Sequence, residues 1–427
     1  MERHSTVYDT YVAILKRELV CAMGCTEPIA IAYAAAVARA NLGQIPERIE
    51  VEASGNIIKN AKSVVVPNTG GRKGIAAAAA VGVLAGDETA GLQVISNVPQ
   101  VVQDELPTYI ESASIRTIGV ETGHMLDITV TVYAGEHCAK CRIADEHTNV
   151  VLVEKDGVVL QKKELSDGAQ QDAEMPDYTA LSVAGIYDFA NTCDLDDVSE
   201  TLERQISCNK AIAMEGLKNN YGANIGKVLL RVNPDSARTR AKAWAAAGSD
   251  ARMNGCELPV VICSGSGNQG MTTSLPVIAF AERMDVSHEA LLRALLVSNL
   301  ITIHEKTSIG RLSAYCGAVS AGAGAGAGIA YLHGADLEQI STTIVNALAV
   351  ISGIVCDGAK SSCAAKIATA VEAGIFGYEM CCHSQRFCGG DGLVLASVER
   401  SIANFGRLGR VGMKETDHEI IKMMTEE

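Results

Sequence analysis

The stretch Gly24-Cys25-Thr26-Glu27-Pro28 stands directly before an alanine-rich run, Ala30 to Arg39, and the rest of the chain can be interpreted from it. Pro28 suits the first turn of a helix, where its missing N–H costs no hydrogen bond. Cys25 is therefore predicted near a helix N-terminus, whose partial positive charge favours a thiolate over a thiol. Thiolates bind soft metals and iron–sulfur clusters, so the stretch predicts a site that needs further cysteines.

The bulk composition limits the classes of protein that fit. The chain has 427 residues, enough for two or three domains with cores of their own. Its residues are 48% hydrophobic and only 4% aromatic, and 40 glycines with many alanines predict closely packed helices. A formal net charge of −14 argues against nucleic acid or an anionic membrane surface as a partner. An anionic small substrate is still compatible, because local backbone dipoles can outweigh net charge.

The expected location of the protein is the cytoplasm. Met1 leads into an amphipathic pattern without a signal peptide, and no apolar run of about twenty residues suggests a membrane span. In this setting the 14 cysteines are not a disulfide framework, and we expect most to be small buried hydrophobes and a few to be ligands. The oligomeric state is not fixed by the sequence, and a homodimer is compatible with it.

The hydrophobic pattern predicts an α+β fold with a smaller α+β domain near the N-terminus and a mostly helical C-terminal domain. Residues 1–43 are predicted to be helices that pack on the helical domain. Residues 44–163 contain the β-branched runs of the α+β domain, including short strands at 63–66 and 92–96. Residues 164–178 are polar and are predicted to be a linker, and residues 179–427 are predicted to be all-helical, with the glycine run 322–328 in a buried helix.

A glycine-rich loop follows the apolar run Pro259 to Cys263. Its sequence is Ser264-Gly265-Ser266-Gly267-Asn268-Gln269-Gly270, and a helix is predicted from Met271. An apolar run, a glycine loop and a helix in this order can present backbone N–H groups to an anion. The Gly-Lys-Ser/Thr ending of a phosphate-binding loop is absent, so a carboxylate fits better than a triphosphate. The alternative is a plain tight turn.

Two polar segments of the N-terminal half are also candidates. Asn56, Lys59 and Asn60 place three hydrogen-bonding side chains within five residues, which could orient a polar substrate. The loop Asn68 to Gly74 contains Arg72 and could receive an anion. For both segments the alternative is an exposed turn.

Several cysteines could instead form a structural zinc site, which needs four ligands. Cys138 and Cys141 make a C-x-x-C pair in a predicted strand. The pair could be completed near the C-terminus only if the domains met there, by residues Cys381, Cys382, His383 and Cys388.

The C-terminal half offers a stronger set of cysteines. Cys316 precedes the glycine run, and Cys356 is followed by Asp357 and Gly358, a turn signal, and then by a predicted helix. This order repeats the local pattern around Cys25. Spacing alone is weak evidence, and the residues by themselves indicate only a two-domain protein with a thiolate metal site.

Four motifs together resemble the iron–sulfur L-cysteine desulfidases, relatives of the alpha chain of bacterial iron–sulfur L-serine dehydratase. The motifs are Gly24 to Pro28, Asn56 to Asn60, Ser264 to Gly270 and Cys356 to Lys360. The resemblance covers essentially the whole chain in the same order. It implies a [4Fe–4S] cluster held in the helical domain by Cys25, Cys316 and Cys356, with one iron open and Cys363 competing for the third place. No PLP motif is recognisable.

The resemblance also implies α,β-elimination of L-cysteine to sulfide, ammonia and pyruvate. The substrate carboxylate and amino group would be bound by Thr26 and by the loop residues Ser264, Gly265, Ser266, Gly267, Asn268 and Gln269. Asn56, Lys59 and Asn60 would add contacts from the smaller domain. The general base is left open between Lys59, Glu27, Lys306 and Lys360. L-serine dehydration by the same chemistry and non-catalytic binding of a small anion are the alternatives.

Overall fold

The computed structural model describes residues 1–165 and 175–425, which form an α+β fold. Its helices are α1 Thr6–Glu18, α2 Thr26–Leu42, α3 Gly55–Ala61, α4 Gly74–Ala85, α5 Gln100–Ser112, α6 Val183–Thr192, α7 Ser199–Lys218, α8 Ile225–Val232, α9 Ala237–Met253, α10 Gly267–Met284, α11 His288–Ile309, α12 Gly317–Leu332, α13 Leu337–Ile351, α14 Cys363–Cys382, α15 Val398–Arg407 and α16 Lys414–Thr425. Its strands are β1 Cys21–Met23, β2 Arg48–Ser54, β3 Ser114–Val120, β4 Asp127–Ala134, β5 His137–Ala144, β6 Val150–Lys155, β7 Val158–Lys162 and β8 Pro259–Val261. Across these two ranges no helix is long and apolar enough to cross a membrane.

A six-stranded sheet forms the smaller core. Its strand order is β3-β2-β4-β5-β6-β7, with β2 and β3 parallel and the other neighbours antiparallel. Along β2 the side chains of Ile49, Val51 and Ala53 are buried, as the period of a half-buried strand requires. Helices α2 and α4 pack on this sheet and share its apolar cluster.

The two N-terminal helices therefore pack in different places. Helix α1 joins the larger, helical core through side chains such as Tyr11 and Ile14, whereas α2 lies against the sheet through Ile29 and Ile31. The expectation that both pack on the helical domain is thus wrong for α2, because its alanine-rich surface fits closely against α4 and the sheet. The proposed domain boundaries stay a prediction, and most of the proposed linker, residues 166–174, lies outside the described residues.

The larger core is built around the glycine-rich helix α12, as predicted. Residues 318–330 of α12 are all buried. A Cβ atom at Gly326 would come within 2.5 Å of the carbonyl oxygen of Gly374 in α14, so glycine is required for the close approach of these two helices. Helix α12 also packs on α10, α11 and α13, which places its first turn among the loops that carry the candidate site.

Three strand predictions need correction. The region predicted to be all-helical contains β8, which pairs antiparallel with β1 so that Cys21 faces Val261. Residues 63–66 contribute only one isolated bridge, between Val65 and Lys73, and residues 91–93 form a 3-10 turn in place of the strand predicted at 92–96. Val64, Val66, Val94 and Ile95 are buried, so packing accounts for these apolar residues without a regular strand. The β1–β8 pair has a functional consequence, because it brings the turn before Cys25 beside the glycine-rich loop after β8.

Candidate active site

A cavity of about 100 Å³ lies where the ends of α2 and α3 meet the first turns of α10, α12 and α14. Its walls come from parts of the chain that are far apart in sequence. They are formed by Cys25, Thr26, Glu27, Asn60, Arg252, Ser266, Asn268, Gln269, Lys306, Arg311, Leu312, Ser313, Tyr315, Cys316, Gly317, Ala318, Cys356, Gly358, Ala359, Cys363, Lys366 and Ile367. Most of the residues singled out from the sequence are therefore brought together.

All three candidate cluster cysteines, and their competitor Cys363, line this cavity. Cys25 is the N-cap of α2, Cys316 is the N-cap of α12 and Cys363 is the first residue of α14. Two backbone hydrogen bonds hold the Cys316 and Cys356 segments side by side, since Cys316 N donates to Ile354 O at 3.1 Å and Cys356 N donates to Ala314 O at 2.6 Å. Both Cys356 and Cys363 are thus available as the third ligand.

The protonation of the free thiols differs from the expectation. Burial, followed by the charge of Glu27, raises the pKa of the Cys25 thiol well above its usual range. Burial and the nearby Cys356 raise the pKa of Cys316 to about 12. The expected thiolate at a helix N-terminus is therefore wrong for the metal-free protein, because loss of hydration outweighs the partial charge of the helix. Binding of a metal group would have to displace these protons.

The donor set fits a thiolate-bound cofactor. Thiolate ligands select iron–sulfur clusters, zinc or copper(I), and several thiols around one cavity can contact different atoms of a cluster. In the parts of the chain that the structure describes, no three His, Cys, Asp or Glu side chains are arranged to hold a single metal ion. This finding also corrects the zinc alternative for Cys138 and Cys141, since Cys141 is buried in the small core while Cys382 and Cys388 are exposed.

A hydrogen-bond network surrounds Glu27 on the α2 side of the cavity. Its Oε2 accepts from Cys25 Sγ and from Thr26 Oγ1, both at 3.1 Å, and its Oε1 accepts from Asn60 Nδ2 at 3.0 Å. His147 Nε2 lies 3.8 Å from Oε1. Burial acts to raise the pKa of Glu27, but His147 and the donated hydrogen bonds outweigh it and hold the value at about 2. Glu27 is thus an ionised acceptor.

Lys306 is the candidate base that is best placed among the four. It lines the cavity, is 5% exposed, and its ammonium has no hydrogen bond or ion pair within residues 1–165 and 175–425. Burial lowers the pKa of Lys306 to about 8, although Cys356 and Cys316 act in the opposite direction. A lysine with such a pKa is partly neutral near pH 8 and can accept a proton.

The other two lysines are engaged outside the cavity wall. Lys59 Nζ lies 2.5 Å from Asp417 Oδ1 in a fully buried ion pair, and Asn56 Nδ2 donates to the other oxygen of Asp417 at 2.8 Å. Lys360 Nζ lies 2.5 Å from Asp357 Oδ1 and also donates to the Asp357 carbonyl at 3.0 Å. Of the segment 56–60, only Asn60 is a lining residue. Asn56, Lys59 and Lys360, for which substrate and base roles were expected, therefore do not line the cavity. Ion pairs hold the two lysines, and a hydrogen bond to Asp417 holds Asn56.

The residues of the glycine-rich loop line two neighbouring pockets. Ser264 and Gly265 have left-handed φ values of 49° and 78°, and the turn closes through Ser266 N and Cys263 O at 3.1 Å. Ser266, Asn268 and Gln269 line the cavity, whereas Ser264 faces a neighbouring pocket that also contains Lys306. Gly265 takes part through its carbonyl oxygen, which lies 3.0 Å from Thr26 Oγ1 and shares the single hydroxyl proton of Thr26 with Glu27. The loop thus joins the first turn of α2 to the cavity.

Two arginines at the cavity were missed from the sequence. Arg252, in α9, is 2% exposed, and its Nη1 donates to Asn268 Oδ1 at 3.2 Å. Arg311 Nη2 contacts Glu18 at 3.0 Å and Glu146 at 3.1 Å, so it joins α1 to the loop after β5. The available signal for Arg252 was its position in the small-residue run 241–253, where a charged side chain on a buried helix requires an explanation.

Comparison with known proteins identifies the family. Residues 89–422 match the family described as the serine dehydratase alpha chain. The chain is 54% identical to a UPF0597 protein of Desulfitobacterium hafniense, over 99% of this chain and 98% of the relative. It is 53% identical to a UPF0597 protein of Lachnoclostridium phytofermentans, over 98% and 100% of the two chains, and 47% identical to one of Finegoldia magna, over 97% and 99%. The chain therefore belongs to the serine dehydratase alpha-chain family, in agreement with the resemblance of its motifs.

Proposed function

We propose that the protein is an iron–sulfur-dependent L-cysteine desulfidase, which converts L-cysteine and water to pyruvate, ammonia and hydrogen sulfide. The observation that carries the proposal is the convergence of Cys25, Cys316, Cys356 and Cys363 on one cavity that also contains the buried Lys306. Three of these cysteines would hold a [4Fe–4S] cluster. When bound, such a cluster with one iron free of protein ligands supplies a Lewis acid for the substrate.

The protein side chains then bind the substrate and move its protons. Polar side chains of the cavity wall provide the hydrogen bonds, from Thr26, Asn60, Ser266, Asn268 and Gln269. Neutral Lys306 Nζ removes the α-proton, and the ammonium that it forms can return the proton to the departing HS⁻. The aminoacrylate product tautomerises and hydrolyses to pyruvate and ammonia. Glu27 is already ionised and accepts hydrogen bonds from Thr26 and Asn60, so its role is to position these two side chains.

L-serine is the second candidate substrate. The description of the matching family favours it, since serine differs from cysteine only by oxygen in place of sulfur. A soft sulfur leaving group suits iron–sulfur chemistry better than a hydroxyl group does, and for this reason cysteine is the first choice. Paired kcat/KM values on the two amino acids decide between them.

The test begins with anaerobic purification, iron and sulfide analysis, and addition of L-cysteine. We expect a brown protein with roughly four irons per chain, as a [4Fe–4S] cluster requires, that releases sulfide and pyruvate in equal amounts. Cys25→Ala and Cys316→Ala should lose iron and activity, whereas the control Cys141→Ala, a buried cysteine of the small core, should keep both. Cys356→Ala and Cys363→Ala identify the third ligand.

Three outcomes would contradict parts of the proposal. A brown protein that acts on serine but not on cysteine would change the substrate. A protein that stays colourless after cluster reconstitution, and is inert to both amino acids, would favour the binding of a small anion without catalysis. Activity that survives prolonged exposure to air with the cluster intact would contradict an open iron.

A further inference from the structure

Arg252 is a buried cation whose hydrogen-bonding capacity is mostly unused. It lines the cavity, and its exposed fraction is 2%. Nη1 donates to Asn268 Oδ1, but Nε and Nη2 have no hydrogen-bond partner within the described part of the chain. The charge of Arg252 acts on Cys25, so a Cys25 thiolate would offset part of it. The unpaired N–H groups are still costly to bury, and they indicate an anionic ligand that accepts from them.

The backbone around Arg252 is shaped to accommodate the side chain. Gly267 opens α10 next to the guanidinium, and a Cβ atom at this position would overlap Arg252 Nε and Cζ. Asn268 follows directly and holds Nη1. The glycine-rich loop therefore contributes to anion binding by making room for an arginine, in addition to any contact that its own N–H groups make.

A second unused group in the same cavity wall is the amide oxygen of Asn60. Asn60 Nδ2 donates to the ionised Glu27, which can only accept, and this fixes the orientation of the amide. Asn60 Oδ1 therefore points away from Glu27, and it is buried without a hydrogen-bond donor among residues 1–165 and 175–425. Gln269 Oε1, also in the cavity wall, is likewise buried without a hydrogen-bond donor in the described part of the chain.

Unused donors and unused acceptors thus share one cavity. An α-amino acid in its zwitterionic form complements both, because its carboxylate accepts from a guanidinium fork and its ammonium donates to amide oxygens. We propose that Arg252 is the residue that binds the substrate carboxylate, with Asn60 Oδ1 receiving the substrate ammonium. The inference rests on the proposed function for the identity of the substrate, and it extends the site to a residue outside the loop motifs.

The proposal is tested by comparing ligands with and without the carboxylate. In the holoenzyme, kcat/KM is measured for L-cysteine and L-cysteinamide, and binding of L-alanine and L-alaninamide, which have no leaving group, is measured by calorimetry. The wild type should prefer the carboxylate form in both pairs. Arg252→Gln should raise KM for L-cysteine roughly 10- to 100-fold, the range for loss of a charge-assisted hydrogen bond, while kcat for L-cysteinamide and the iron content change little.

Arg240→Gln is the matched control, since Arg240 lies on the same helix but faces outward and pairs with Glu282. Arg252→Lys keeps the charge without the fork and should lie between the wild type and Arg252→Gln. If Arg252→Gln does not fold, the lysine variant and the preference of the wild type still decide the question. Equal wild-type affinity for L-alanine and L-alaninamide would overturn the proposal.

The results also separate this inference from the proposed function. A wild type that binds L-alanine through Arg252 but releases no sulfide would contradict the function and support the inference. An active wild-type enzyme whose preference for the carboxylate survives in Arg252→Gln would support the proposed function and contradict the inference. Loss of iron in Arg252→Gln with an unchanged preference would make Arg252 a counterion of the cluster and would overturn its assignment to the carboxylate.

Discussion

The contact between α3 and α16 and the cavity beside α11 each bury a lysine, and the two lysines are in opposite states. Lys59 is 1% exposed and forms an ion pair with the equally buried Asp417. Lys306 is 5% exposed and lines a cavity without a charged partner among the residues that the structure describes. Burial alone therefore does not identify a catalytic group. What distinguishes the two is whether the protein itself satisfies the charge, because an unsatisfied buried charge remains available to a ligand.

The largest expected effect concerns Lys306. Lys306→Met should lower kcat for L-cysteine by about 10²–10⁴-fold, the usual contribution of a general base. The melting temperature should stay the same or rise, since the substitution removes an unpaired buried cation. Turnover, thermal unfolding and iron content should be measured together. Lys360→Met is the control, because Lys360 is a lysine near the site that does not line the cavity. A Lys306→Met enzyme with wild-type kcat would remove Lys306 from the mechanism.

The second effect is on stability and concerns the other lysine. Lys59→Met leaves Asp417 charged and buried, and the free energy of unfolding should fall by about 3–5 kcal/mol. At a temperature where the variant is folded, kcat should remain near that of the wild type. Denaturant unfolding measures the loss, with the exposed neighbour Lys62→Met as control. A folded Lys59→Met enzyme that is inactive would return Lys59 to the list of bases.

A double substitution sharpens the same comparison. Lys59→Met combined with Asp417→Leu removes both buried charges, and the double variant should recover most of the lost stability, to within about 2 kcal/mol of the wild type. Recovery is expected to be incomplete because Asn56 Nδ2 loses its acceptor. Additive losses in the double variant would show that the two side chains do not interact.

The smallest effect is expected at Glu146, which forms partly exposed ion pairs with Arg17 and Arg311. Burial opposes the shift, but Arg311 and Arg17 lower the pKa of Glu146 below its ordinary value of 4.5. The ion pairs of Glu146 with Arg311 and Arg17 therefore stabilise the fold above about pH 4.5. This contribution is lost as the pH falls through the lowered pKa of Glu146. Glu146→Gln should cost roughly 0.5–1 kcal/mol near neutral pH and flatten the acid side of the stability profile. An unchanged acid slope would contradict this role.

Sequence patterns predicted the α+β class, the start of helix α2 and the buried glycine-rich helix α12. These features depend on local signals, such as Pro28 in the first turn of α2. The strands predicted at 63–66 and 92–96 failed because a short apolar run is equally typical of a packed turn. The position of α2 against the sheet depends on tertiary packing and had no local signal.

Several residues that line the cavity were named from the sequence, and others were not. Cys25, Cys316 and Cys356 were identified through motif resemblance, and their convergence is a long-range property that spacing does not encode. From the sequence Lys59 looked as suitable a general base as Lys306, because its ion-pair partner Asp417 is 358 residues away along the chain. Arg252 was missed for a related reason: nothing beside it in the sequence shows that two of its nitrogens lack partners.

The Lys59–Asp417 pair also has a consequence for the timing of folding. Its partners are separated by 358 residues, and α16 supplies the later one. At ordinary synthesis rates Lys59 is added to the chain roughly 20 to 70 seconds before Asp417. Before Asp417 is available, Lys59 has no counterion, and burying its charge in α3 would cost a large amount of free energy. Docking of α3 against α16 should therefore be one of the later steps of folding, after most of both cores has been synthesised.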